Sequence, residues 1–135
     1  MVKDNSKILI ESAIKVRENA FAPYSNFKVG AAIKTASGKI YTGSNIESAS
    51  YGLTVCAERV AIWKAVSEGE REFESLAVVA DTDKLTSPCG ACRQIIWEFC
   101  GDIPVTLINL RDETQTISMK NLLPLAFGRE FLERT

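Results

Sequence analysis

Apolar positions recur along this chain with two different periods, and the switches between them mark alternating helices and strands. Leu9, Ala13, Val16 and Ala20 stand at i, i+4, i+7 and i+11, the spacing of one helix face. Residues 7–21 therefore read as an amphipathic helix, with Ser6 at its cap and Pro23 beyond its end. Residues 27–34 and 40–42 read as strands joined by the hairpin signal Ala36-Ser37-Gly38. A loop rich in Gly, Ser and Asn covers 43–54, and a second helix over 56–67 stops at Gly69. Leu76-Ala77-Val78-Val79-Ala80 is an unbroken apolar run, the mark of a strand covered on both faces. A third helix over 90–99, strands over 105–110 and 115–118, and a closing segment over 122–129 complete the pattern. Strands alternating with helices predict an α/β layered sandwich built on a mostly parallel sheet.

Composition fits that picture. With 135 residues, 46% of them hydrophobic, the chain suits one domain over 1–135 whose core buries about two-thirds of the unfolded surface. No apolar run approaches the ~20 residues of a membrane span, and the N-terminus lacks signal or transit character. A cytoplasmic location with no membrane partner is the expectation. Net charge is −1 and no basic stripe is visible, which favours a small molecule over nucleic acid as partner.

Two counts then narrow the chemistry. Histidine is absent, so Ser-His and Cys-His nucleophilic mechanisms are ruled out, and any general acid or base is a carboxylate, lysine, tyrosine or thiol. The four cysteines are Cys56, Cys89, Cys92 and Cys100. In a reducing compartment they point to metal binding or catalysis rather than disulfides.

Cys89 and Cys92 stand three apart at a helix start, which turns both sulfurs to one side of the first turn. Taken alone, that spacing also fits a redox pair or two packed core thiols. Cys56 opens the other helix, followed by Ala57, Glu58 and Arg59. Glu58 shares a helix face with Ile62 and Ala65, and Arg59 shares one with Trp63 and Val66. Charges in phase with core residues are expected to have partners, although Glu58 also suits a simple helix-dipole contact and Arg59 a structural ion pair. Three thiolates with a fourth position open match a catalytic zinc site. Cys100 lies eight residues past Cys92, about 12 Å along a helix, too far to close the site. It is expected to pack in the core. Arg59, three positions from Cys56, is placed to donate to its sulfur and moderate the charge of a three-thiolate site.

At Cys56-Ala57-Glu58 and Pro88-Cys89-Gly90-Ala91-Cys92 the chain resembles the cytidine deaminase family. The wider zinc-deaminase signature usually has histidine in first place and a glutamate that is not a ligand. The likeness extends over Tyr24-Ser25-Asn26-Phe27, Gly43-Ser44-Asn45-Ile46-Glu47, residues 49–55, Arg93-Gln94 and residues 122–127. Ser44 and Ser48 depart from residues often found in relatives. The resemblance implies a three-layer α/β/α sandwich with a mixed, mostly parallel five-stranded sheet. It implies one Zn2+ per subunit on Cys56, Cys89 and Cys92, and Glu58 as proton shuttle. It also implies substrate contacts from Phe27, Asn45, Glu47 and Ala57, and a homotetramer whose sites borrow Ala49, Tyr51 and Phe127 across subunits. The expected reaction is deamination of cytidine and 2′-deoxycytidine in pyrimidine salvage. Deamination of an aminonucleoside antibiotic of the blasticidin type is the alternative, and a non-catalytic zinc-stabilised binding module a further one.

Overall fold

The computed structural model describes residues 5–133. Its elements, in chain order, are α1 (Asn5–Arg17), β1 (Val29–Thr35), β2 (Ile40–Ser44), α2 (Ala57–Ser67), β3 (Phe73–Ala80), α3 (Gly90–Cys100), β4 (Pro104–Ile108), β5 (Thr114–Ser118) and α4 (Met119–Leu122). The strands form one five-stranded sheet in the order β2-β1-β3-β4-β5.

Alternation along the strands divides the sheet into two packed faces. Ala32, Ala77, Val79 and Ile108 face α1, where they meet Leu9 and Ala13. Their neighbours Ala31, Ile33, Leu76, Val78, Val105 and Leu107 face the other way. There they pack with Ala57, Ala61, Ile62 and Ala65 of α2, Ile96 of α3, and Met119 and Leu122 of α4. This is the three-layer sandwich expected, and the 76–80 run is indeed covered on both sides.

The sheet is mixed, but it is not mostly parallel. Only β3 and β4 run parallel; β1–β2, β1–β3 and β4–β5 are antiparallel. Apolar content reports that both faces of a strand are covered and says nothing of its neighbour's direction. Two hairpins, β1–β2 and β4–β5, supply two of the three antiparallel pairings. The first helix also differs, ending at Arg17 rather than near residue 21. The chain tightens into i+3 turns over 18–20, and Phe21 then bonds to the strand-like segment beyond β2: its N–H donates to Asn45 O at 2.9 Å, and Glu47 N donates to Phe21 O at 2.8 Å.

The packing of α2 on β2 depends on a missing side chain. A Cβ on Gly43 would lie 2.5 Å from Ala61 N and 2.7 Å from Ala57 O, both backbone atoms of the helix that begins beside Cys56. Gly43→Ala should therefore cost about 1–3 kcal/mol as strand or helix gives way. A lowered urea midpoint checks this; an unchanged one would show that the two elements separate freely.

Candidate active site

Two helix N-termini converge on one spot. Cys56 is the N-cap residue of α2, Cys89 is the N-cap residue of α3, and Cys92 lies in the first turn of α3. Their ligand atoms all lie within 4.8 Å of one another. Ligands at about 2.3 Å from a tetrahedral zinc are separated by roughly 4 Å, so the three sulfurs are already grouped as one ion would require. Cys100 is outside the group and packs against the main core, where burial pushes its thiol up to about 12.

The electrostatics of the cluster call for a cation. The hydrogen bond from Cys92 holds the Cys56 thiol well below the ordinary thiol range, opposed by burial and helped by Arg59. That shared bond raises Cys92, as do burial and the Glu58 charge. Ionised sulfurs this close repel one another. A divalent ion, aided by the partial positive charge of the two helix ends, removes the conflict. The donor set fits zinc.

Arg59 Nη2 donates to Cys56 Sγ at 3.3 Å, and its guanidinium carbon lies 5.9 Å from the Trp63 ring centroid. Its Nε is buried and has no partner among the described residues. Trp63 is exposed, so the Arg59 face lies at the rim of α2 rather than in the core. Glu58, by contrast, is 5% exposed and sits in line with the fully buried Ile62 and Ala65. Burial is the main cause raising its carboxyl to about 7, opposed by its own backbone N–H and by Arg59 and reinforced by the Cys56 charge.

A cavity opens over this cluster. Phe27, Asn45, Cys56, Ala57, Glu58, Cys89 and Cys92 line it, and so do Val29, Thr54, Val55, Val78, Thr86 and Ser87, which sequence reasoning did not single out. Thr54-Val55 and Thr86-Ser87 lead directly into the cysteine segments, so chain proximity was the available signal. Glu47 and Tyr51 line an adjoining cavity with Tyr24, Ser25 and Thr54. Ala49 and Phe127 are exposed and border neither cavity.

Asn45 and Glu47 brace the loop that carries Phe27. Asn45 Oδ1 accepts from Val29 N at 2.8 Å and its Nδ2 donates to Phe27 O at 2.7 Å. Glu47 Oε1 accepts from Tyr24 N at 2.9 Å and Ser25 N at 3.1 Å, and its Oε2 accepts from the Ser25 hydroxyl. That hydroxyl bond, against some burial and with the two backbone donors, holds the Glu47 carboxyl below its ordinary range. A carboxylate offers about four acceptor sites, so these three bonds leave one more acceptor position on Glu47.

Three sulfurs grouped to hold zinc, with a buried carboxyl in the same cavity, on an α/β sandwich, are the parts of a zinc-dependent hydrolytic enzyme. Residues 3–107 match the family model described as the cytidine and deoxycytidylate deaminase zinc-binding region. A cytidine deaminase from Sporosarcina psychrophila is 53% identical over 130 residues, covering 96% of this chain and 95% of that protein. The crystal structure of cytidine deaminase from Burkholderia pseudomallei superposes with a TM-score of 0.86 at 48% identity, covering 90% of this chain and 98% of that one. A blasticidin-S deaminase from Bacillus cereus is more distant, 36% identical over 109 residues, 75% of this chain and 77% of that protein. The chain belongs to the cytidine deaminase family.

Proposed function

We propose that this protein hydrolyses cytidine and 2′-deoxycytidine to uridine and 2′-deoxyuridine with release of ammonia, and that it serves pyrimidine salvage in the cytoplasm. The observation that carries the reading is the buried Glu58 carboxylate beside the Cys56, Cys89 and Cys92 sulfurs, in one cavity with the Phe27 ring. No helix among the described residues is long and apolar enough to cross a membrane.

Cys56, Cys89 and Cys92 would hold zinc, which when bound would supply the Lewis acidity that brings the pKa of a water toward ~7. Glu58 takes a proton from the attacking water and delivers it to ring N3 of cytosine, which makes C4 electrophilic as the water oxygen adds there. Glu58 then carries the second proton to the 4-amino group. The C4–N bond breaks, ammonia leaves, and the oxygen remains as the C4 carbonyl. One carboxylate serves both transfers because each resets it. Arg59 draws charge from Cys56 and so keeps the site acidic enough for the first transfer.

Phe27 packs on the pyrimidine and the Ala57 backbone borders it. Asn45 and Glu47, after bracing the 24–29 loop, present their remaining acceptor and donor positions to the ribose. The negative charge of Glu47 favours nucleosides over their phosphates. Cytidine and blasticidin S, offered separately to the purified enzyme, distinguish the two deaminase readings: fast ammonia release from cytidine supports ours, and release from blasticidin S alone overturns it.

The surface supports a homotetramer with shared sites. Leu125 is 104% exposed, Tyr51 75%, Leu53 71%, Phe131 67% and Phe127 54%, large apolar side chains that contact with further copies would cover. Ala49, Tyr51 and Phe127 then complete the cavity of a neighbouring copy. Sedimentation should give a particle of four chains, with activity lost on dissociation; full activity in a demonstrated monomer would contradict it.

A further inference from the structure

One side chain ties the zinc-ligand loop to a distant part of the molecule. Arg93 follows Cys92 on α3, and its guanidinium makes three hydrogen bonds of 2.8 Å: Nε to Pro88 O, Nη2 to Ser87 Oγ, and Nη1 to Leu122 O. The first two acceptors lie directly before Cys89 and include a residue of the cavity wall. The third is at the end of α4, where the chain turns out toward Phe127. Next to it, Gln94 Nε2 donates to Phe127 O at 2.7 Å. Arg93 forms no ion pair among the described residues, so its charge is spent wholly on neutral oxygens.

We propose that Arg93 is a positioning residue that clasps the loop delivering Cys89 to the carbonyl end of α4, so that, together with Gln94, it holds the 123–127 segment in register with the zinc ligands. The physical basis is geometry. A planar guanidinium has five donors in a fixed fork and spans acceptors on two sides, whereas an ammonium is a point donor on a flexible stem. The loop over 81–89 has no regular secondary structure, so the clasp supplies order that a strand or helix would otherwise give. Movement of the 123–127 segment is then felt at Ser87 and Cys89, and the reverse. Its consequence for a neighbouring subunit, through Phe127, rests on the shared-site tetramer proposed above.

The test compares Arg93→Lys and Gln94→Ala with wild type in the zinc-loaded enzyme. Transfer of zinc to a chromogenic chelator, sedimentation, and kcat and KM for cytidine per bound zinc are measured. Arg93→Lys should release zinc about tenfold faster, the usual effect of losing a residue that orients a ligand. Its KM should rise about as much, with kcat per zinc kept within about twofold, because it moves the cavity wall and leaves Glu58 in place. Gln94→Ala should raise KM about fivefold, the worth of one neutral hydrogen bond.

A folded Arg93→Lys enzyme with wild-type zinc release and KM would overturn the clasp, whatever its oligomeric state. Should that variant not fold, Ser87→Ala removes one acceptor and should speed zinc release about fivefold, and unchanged release would overturn the proposal equally. If wild type proves to be a fully active monomer, the shared-site reading falls and with it the KM effect of Gln94→Ala. Faster zinc release from Arg93→Lys would still uphold the clasp.

Discussion

Glu58→Ala should bind one zinc per chain and yet deaminate cytidine about 10⁴-fold more slowly than wild type, near the upper end of what one positioned acid–base group contributes. The size of the effect follows from there being no substitute. The chain contains no histidine, and Glu58 is the only carboxylate among the residues lining the cavity over the sulfurs. Arg59 beside it is a guanidinium and cannot accept a proton at working pH. Zinc retention is expected because the three sulfurs group without help from Glu58. The decisive pair of measurements is metal content and kcat on the same preparation. Turnover within tenfold of wild type would remove Glu58 from the proton path, whereas loss of zinc along with activity would recast it as part of the metal-binding shell.

Cys89→Ser should have the other large effect, loss of stoichiometric zinc and with it of activity. Serine is a favoured N-cap residue, so α3 keeps its start and the defect is confined to the metal. A hydroxyl does not ionise at neutral pH as a zinc-bound thiol does, so two sulfurs remain where three are needed. Because the three sulfurs are gathered in the folded chain, zinc stabilises that state, and the variant should also unfold at a lower temperature than zinc-loaded wild type. Adding chelator to wild type should reproduce that fall and leave the variant unchanged. A Cys89→Ser protein that still carries one zinc per chain would contradict the ligand assignment.

Helical phase made much of this site legible in the sequence. It placed Glu58 with Ile62 and Ala65, and all three are buried. Rise per residue was enough to exclude Cys100, which packs with the core as expected. The Cys89–Cys92 spacing anticipated two sulfurs in one turn, though their meeting with Cys56 needed the fold, because α2 and α3 are brought together only by packing on the same sheet face. Strand direction was not legible, and the antiparallel β1–β3 pairing is where the expectation failed. The end of α1 was misplaced for a related reason: the bonds from Phe21 to Asn45 and Glu47 span more than twenty residues and leave no local mark. Long-range polar ties were equally hidden. Nothing in the residue pattern announces that Asn45 and Glu47 grip the backbone around Phe27, or that Arg93 reaches Leu122.

The quantity on which everything turns is the number of sulfurs around the ion. X-ray absorption at the zinc edge of the purified protein should show three sulfur neighbours at about 2.3 Å and one light-atom neighbour. Four sulfurs would mean a closed structural centre with no room for chemistry, and the enzymatic account would fail.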